Sequence, residues 1–312
     1  VFISEEPAQT TLGYLVDAVV EFRRELREGA VVRTLEVQKL RGSPILRPES
    51  LYTLAGARFM ELEPDHPRPI ELLKKKEDFK PIKHSKYTYS SGTGVLDEGF
   101  AGGFRKGSVT LLEFGQDLNP AVHYGGFNII FANFIMNGGC AMTIPGGGAS
   151  IGEIVALAKL AMPAEAVSER FIVGAFEKYD SPNIFLLSPT SIRDCFDTVS
   201  AKVAAVKGKA NRAIVGLISV DVLESIFEER ELLYFLSRMM QNVRRNQDIL
   251  ALKCGYSSTL KAKLADLCDV HVKYETISEA HTIHGINPPG PFMHVMYDYS
   301  RGYPYPVFTP IL

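Results

Sequence analysis

The sequence predicts an α/β protein, with a mostly parallel central sheet flanked by helices and a terminal antiparallel extension. Three observations carry this prediction. From about residue 90 onward, short apolar runs alternate with longer helical patterns, as a parallel sheet covered by helices requires. The run AIVGLIS at 213–219 is almost entirely apolar, which marks a strand buried on both faces. After residue 270 the apolar runs are separated by turns instead of helices, so they pair antiparallel. Taken in order, strands are expected at 108–113, 140–144, 183–187, 213–220 and 249–254. Helices are expected at 124–137, 151–160, 191–207, 228–246 and 258–267.

Composition sets the outer limits. A chain of 312 residues with 46% apolar and 22% charged residues can bury a large core and suggests about two domains. The net charge of -2 gives no sign of a protein built around nucleic acid. Cys140, Cys195, Cys254 and Cys268 lack CxxC spacing, so they read as reduced, buried thiols. No apolar run is long enough to span a bilayer, and residues 1–7 have no signal-peptide pattern, so a cytoplasmic location is expected.

The segment LDEGFAGGFRKGSVTLLEFG, from Leu96 to Gly115, has the layout of a phosphate-binding strand and turn. Such a loop needs GxxxxGK[ST], because backbone N–H groups wrap the phosphates, Lys neutralises them and the hydroxyl holds Mg²⁺. Here the turn reads Phe114, Gly115, Gln116, Asp117, Leu118, Asn119, Pro120, Ala121. Shifting the frame by one or two residues supplies neither the Lys nor the Ser/Thr. Asp117 puts negative charge where anionic oxygens would lie, and Pro120 removes an amide donor.

Two distant stretches share one order of features. Leu15-Val16-Asp17 leads into an alternating run at 18–23, a charged turn, a strand at 31–40 and Arg41-Gly42-Ser43-Pro44. Leu264-Ala265-Asp266 leads into 270–274, a long turn, a strand at 292–297 and Arg301-Gly302-Tyr303-Pro304. Further upstream, residues 1–4 followed by Glu5-Glu6-Pro7-Ala8 match 140–144 followed by Pro145 and Gly146-Gly147-Gly148. By this comparison about a hundred residues are absent between Glu6 and Leu15. Either they were deleted or the sequence joins pieces of a longer polypeptide. The second reading expects a gap between neighbouring Cα atoms far above about 3.8 Å between Pro7 and Gly13. Residues 1–63 are thus expected to form an incomplete N-terminal domain, 64–89 a Pro- and Lys-rich linker, and 90–312 a whole C-terminal domain.

These residues resemble the KaiC-type ATPases of the RecA superfamily, including archaeal GvpD-type relatives. The Leu-Asp and Gly-Gly before the strand, together with KLRG at 39–42, carry the resemblance, which covers most of the chain. It implies a RecA-like P-loop NTPase fold and a homo-oligomer, commonly a ring, with ATP and Mg²⁺ held between subunits. Lys39 and Arg41 match the pair that reaches a neighbour's phosphates in trans, where cations neutralise charge on a transferred phosphoryl group. Glu5 and Glu6 match the paired glutamates of which one activates the attacking water. Without the resemblance, all four read as solvated surface charge. Asp221 falls at the Walker B position, where it could hold Mg²⁺ through water; with the phosphate lysine absent, the bland reading, a helix N-cap before residues 222–227, is preferred.

The second module departs from the pattern at nearly every chemical position. Its turn at 114–121 lacks the phosphate lysine and metal hydroxyl, Gly146-Gly147-Gly148 replaces the glutamates, and Arg301 has no companion Lys. It is therefore expected to be a pseudo-ATPase with no cofactor of its own, and any hydrolysis is expected in the N-terminal domain. The Gly run followed by Ala149-Ser150 reads as a flexible turn more readily than as an amide-only anion site. His271, His281, His284 and His294 lack ligand spacing, so no metal site is expected. The aromatic run Tyr297, Tyr299, Tyr303, Tyr305 and Phe308 points to packing on the sheet or a subunit rather than base stacking. Two other function classes stay open: a non-enzymatic scaffold or signalling oligomer, and a recombinase-like DNA-binding paralogue. Neither a nucleic acid nor a membrane partner is expected.

Overall fold

The computed structural model describes residues 12–99, 102–118, 120–146, 150–208 and 211–312. After one helical turn, α1 (Leu12–Leu15), comes a four-stranded antiparallel meander: β1 (Ala18–Arg27), β2 (Ala30–Leu40), β3 (Glu49–Thr53) and β4 (Met60–Leu62). The β1–β2 loop is two residues long, with Glu28 at φ 51° and Gly29 at φ 82°. Positive φ at both positions gives the turn whose twist matches its flanking strands.

The stretch expected as a linker is mostly irregular, yet it is docked. Phe79 is 2% exposed, and its N–H donates to the Ala161 carbonyl at 2.9 Å. Within the Lys74-Lys75-Lys76 run, Lys75 and Lys76 donate to the carbonyls of Met162 and Ser300. A small ribbon comes next, β5 (Thr88–Tyr89) and β6 (Phe104–Arg105), with α2 (Gly94–Gly99) between its strands.

The large sheet then begins with β7 (Val109–Phe114), α3 (Pro120–Met136), β8 (Cys140–Ile144), α4 (Ile151–Ala161) and α5 (Ala164–Arg170). It continues with β9 (Phe171–Ala175), β10 (Ile184–Leu186), α6 (Ile192–Lys207), β11 (Ile214–Ser219), α7 (Val220–Glu224) and α8 (Glu229–Asn246). It closes with β12 (Ile249–Cys254), α9 (Lys261–Ala265), β13 (Val270–Ile277), β14 (Ala280–Asn287), β15 (Met293–Asp298) and β16 (Tyr305–Pro310). The ten strands lie in the order β10-β9-β8-β11-β12-β7-β13-β14-β15-β16. Pairing is parallel from β10 through β13 and antiparallel from there to β16.

Helices cover both faces of the parallel part, and this is why β11 and β12 are buried at every residue. Val215, Leu217, Ile249 and Ala251 face α3, α4 and α5, whereas Ile214, Ile218, Leu250 and Leu252 face α6 and α8. Strand pleating alternates side chains between the two cores. All four cysteines are buried and unpaired. Among the described residues no helix is long and apolar enough to cross a membrane.

The structure corrects one correspondence read from the sequence. Residues 280–287 are not part of a long turn but form β14, paired with β13 through a two-residue loop. That loop, Ser278-Glu279, has φ 48° and 67°, so it repeats the β1–β2 turn geometry. The counterpart of β2 is therefore β14, not the strand near 292–297. The chain leaves β14 through Pro288, Pro289 and Gly290, so the position of Lys39 and Arg41 has no cationic equivalent there. Arg301 comes after β15 instead. The two meanders also pack on each other: Val32, Leu51 and Leu62 join Ile277, Ala280, Phe292 and Ile311 in one core.

Candidate functional site

In an open parallel sheet, ligands bind where the carboxyl ends of the strands deliver their loops. Here the ends of β7, β12, β11 and β8 lie side by side. The strand β7 leads through a short loop into α3, which is the strand–loop–helix frame the sequence suggested.

The loop itself is tied down by packing. Phe114 is 3% exposed and stacks on Tyr274 at 5.3 Å, with an interplanar angle of 4°. The Gly115 N–H donates to the Tyr274 carbonyl at 2.8 Å, and Leu118 is buried. Gln116 and Asp117 are exposed. None of residues 115–118 takes the positive φ that an amide nest uses, and the Gly115 amide already has an acceptor. Asn119 lies outside the described residues, and Pro120 and Ala121 open α3.

Asp221 does not cap a helix as the bland reading had it. The N-cap of α7 is Ser219, and Asp221 lies inside the first turn. Its Oδ1 accepts from the Gly255 N–H at 2.6 Å, bridging the end of β11 to the loop after β12. A Cβ at Gly255 would lie 3.2 Å from both carboxylate oxygens, so glycine is what lets this approach occur. The other oxygen, Oδ2, lies 3.9 Å from the ammonium of Lys253.

Lys253 is the residue that sequence reasoning missed. It is the fifth residue of ILALKC, a strand buried on both sides, and its side chain is 5% exposed. Strand alternation turns it toward α3, where Nζ lies 5.5 Å from the Phe114 ring centre and 5.7 Å from that of Tyr124. Burial holds its pKa below the usual lysine value, against the opposing pull of Asp221. The signal was available: a lysine in an otherwise apolar buried strand is rare unless something pairs with it.

The fourth strand end completes the group. The Gly146 N–H donates to the Tyr124 hydroxyl at 2.9 Å, and that hydroxyl lies 3.4 Å from Ser219 Oγ. A Cβ at Gly146 would lie 2.9 Å from the Ser219 side chain and 3.6 Å from Lys253 Nζ. Gly147, Gly148 and Ala149 lie outside the described residues.

The remaining sequence candidates are elsewhere. Glu5 and Glu6 lie outside the described residues, as do residues 7–11 of the proposed junction. Lys39 and Arg41 come together at the end of β2, where they donate to the carbonyls of Gly13 and Tyr14. Of the four histidines, His271 meets Glu113 at 3.2 Å, His281 meets Thr276, and His294 meets the Glu63 carbonyl. Glu113, flanked by His271 and Lys261, has its pKa pulled down to about 2. His284 lies against Glu28 at 2.6 Å and near Glu275, and ligand atoms of these three lie within 4.8 Å of one another. Two cations already serve this cluster, however. Lys273 reaches Glu28 at 2.7 Å, and Arg27 reaches Glu275 at 2.9 Å. The aromatic run packs inward: Tyr297 covers Gly125 of α3, and Tyr303 is fully buried. A groove between α6 and α8 contains the buried pair Lys207–Asp248, but that pair is satisfied, since Asp248 accepts from Lys207 and from the Ile214 N–H.

No family model matches the chain. It is 23% identical to Protein GvpD2 of Halobacterium salinarum over 317 residues, covering 97% of this chain and 63% of that protein. It is 33% identical to Protein GvpD1 of the same organism over 118 residues, covering 38% of this chain and 22% of that protein. The chain thus spans less than two thirds of the length of the curated relatives it matches, and its similarity to Protein GvpD2 runs through nearly all of its own length.

Proposed function

We propose that this chain is a regulatory protein of the GvpD kind, acting in gas vesicle formation, whose C-terminal fold is a KaiC-like, RecA-type fold without nucleotide chemistry. The observation that supports this most directly is the β7 end. A strand, loop and helix stand beside Asp221 in the right order, yet the loop has neither lysine nor hydroxyl, and its Gly115 amide is spent on Tyr274. Charge-assisted contacts are individually worth about 1.5–3 kcal/mol, so losing several leaves Mg·ATP little to hold on to. In this reading ATP, Mg²⁺ and any turnover belong to the N-terminal fold of an assembled homo-oligomer, provided that a longer polypeptide supplies the P-loop that residues 1–63 lack. There Glu5 or Glu6 orients water, while Lys39 and Arg41 leave the Gly13 and Tyr14 carbonyls to reach a neighbour's phosphates.

A titration of fluorescent ATP with Mg²⁺ tests the reading. No saturable binding should depend on the C-terminal fold. Binding that is saturable and abolished by Asp221→Asn would overturn it, whereas binding lost only in Arg41→Ala would assign the nucleotide to the N-terminal half. The regulatory part is tested in a gas-vesicle-forming host, where expression of the protein should change vesicle abundance.

A further inference from the structure

The ammonium of Lys253 is nearly enclosed, and it makes no hydrogen bond to any of the described residues. Its ion pair with Asp221 spans 3.9 Å, beyond hydrogen-bond distance. The two aromatic faces attract the charge but accept none of its three N–H donors in the directional sense. Burying an ammonium costs several kcal/mol unless it is paired and hydrogen-bonded, so a lysine left in this state calls for an acceptor.

The surroundings indicate what that acceptor is. Lys253 stands at the carboxyl end of β12, between β7 and β11. Two glycines flank the charged pair, Gly146 on the Nζ side and Gly255 on the Asp221 side: a Cβ at Gly255 would press on the carboxylate at 3.2 Å, and one at Gly146 would meet the Ser219 side chain at 2.9 Å. Asp221 is held back by the Gly255 amide, which fixes one of its oxygens and keeps it from closing on the ammonium. A divalent metal ion is not favoured here, because the fixed positive charge already sits within 4 Å of the carboxylate that would ligate it.

We infer that Lys253, at the carboxyl end of β12, forms with the Tyr124 hydroxyl a metal-independent site for a small oxyanion, such as inorganic phosphate, beside the side-chain-free Gly146. The lysine supplies from a neighbouring strand the cation that the β7 loop lacks. The Tyr124 hydroxyl, which accepts from the Gly146 N–H, keeps its own proton for the anion, and Asp221, held by the Gly255 amide, competes for the ammonium's charge without taking its protons. This concerns the same strand ends as the proposed function but does not rest on it: loss of Mg·ATP binding and gain of metal-free oxyanion binding are separate properties.

The test is isothermal titration of the intact chain with inorganic phosphate in the presence of EDTA. Saturable binding is expected for the native protein and for Lys261→Met, a control that removes a nearby cation on the other face. It should be lost in Lys253→Met, with thermal melting used to show that this variant is folded. Should Lys253→Met fail to fold, Asp221→Asn decides, since removing the competing carboxylate should tighten phosphate about tenfold. Parallel titrations with AMP and ATP, still in EDTA, separate the sources of the oxyanion: displacement of phosphate by nucleotide assigns a phosphoryl group, and no displacement assigns free phosphate. The inference is overturned by absence of phosphate binding in EDTA, by a requirement for Mg²⁺, or by binding indifferent to both Lys253→Met and Asp221→Asn. Saturable Mg·ATP binding lost in Asp221→Asn would defeat the proposed function while leaving metal-free phosphate binding to be judged on its own.

Discussion

The meander β1–β4 and the meander β13–β16 are built alike but finished differently. Each starts with a long hairpin closed by two residues at positive φ, and each hairpin has a register shift near its start. The difference lies at the outer edge of the first strand. The strand β13 carries β7 along that edge in parallel register, from Val270 opposite Thr110 to Tyr274 opposite Phe114. No described strand pairs with the outer edge of β1. Exposure differs accordingly: Val272, Tyr274 and Ile277 are all under 9% exposed, whereas Val20, Phe22 and Leu26 are 44%, 57% and 69% exposed. The same supersecondary unit is a core element when a parallel sheet continues beyond it, and a largely wetted flap when none does. Apolar residues along an unpaired edge invite another strand.

The largest effect that separates the two hairpins is a lysine placed on each first strand. Val272→Lys buries an unpaired charge between β7 and β14, and should cost more than about 4 kcal/mol or abolish folding. Val20→Lys lands in water and should change stability by less than about 0.5 kcal/mol, while lowering any tendency to self-associate. Urea denaturation and light scattering measure both. Equal costs at the two positions would mean that β1 is covered in solution.

Acid should distinguish the hairpins next. The second meander contains His281, His284 and His294, all under 9% exposed, whereas the strands of the first have no histidine. Burial lowers the pKa of each of the three, and that of His84 on the linker falls to about 4. For His84 the hydrophobic surroundings act first and the Lys106 charge adds to them; for His284, Glu28 pulls the other way without reversing the direction. A histidine whose folded pKa lies below about 6.5 binds more protons when unfolded. Stability is therefore full above that value and falls as the pH drops from it toward the folded pKa. The urea midpoint should decline from pH 7 to pH 5, and hydrogen exchange should quicken in β14 and β15 before β1 and β2. A midpoint that rises over this interval would contradict the burial of these rings.

How much of this was legible in sequence depends on how each strand is buried. Strands covered on both faces declare themselves: 140–144 and 249–254 are found where the apolar runs place them, and Ser191 caps α6 through the Asp194 N–H. The strand β14 did not, because HTIHGIN puts two histidines and a threonine inside the core, where Thr282 bonds the Glu275 carbonyl and His284 meets Glu28. The strand β9 was missed because its FIVGA run comes directly after α5, leaving no turn residue between them. At the site, Asp221 could be located from the end of an apolar strand. Its true partner, the Gly255 amide, could not, since only the sheet order places β12 beside β11. Lys253 was visible as an oddity, but its meaning required knowing which face of the strand looks toward α3.

The smallest effect concerns the contact that joins the two hairpins. Each hairpin's turn reaches the other meander: Glu28 bonds Lys273 and His284, while Ser278 donates to Glu49 at 2.9 Å. The two contacts are not equal in kind. Glu28 is a carboxylate whose pKa is lowered by Lys273 and His284 despite the opposing effect of burial, so it is ionised and pairs a cation; Ser278 offers one neutral donor. Because the Glu28 side chain is 38% exposed, solvent screens part of its ion pair. Glu28→Gln should then cost about 1 kcal/mol, and Ser278→Ala about half of that. The double variant should lose more than either alone but no more than their sum, because both turns clamp the same core around Val32 and Phe292. Salt sharpens the comparison: added sodium chloride should shrink the Glu28→Gln penalty and leave that of Ser278→Ala unchanged. A Glu28→Gln cost that is insensitive to salt would show that the glutamate acts through hydrogen-bond shape and not through its charge.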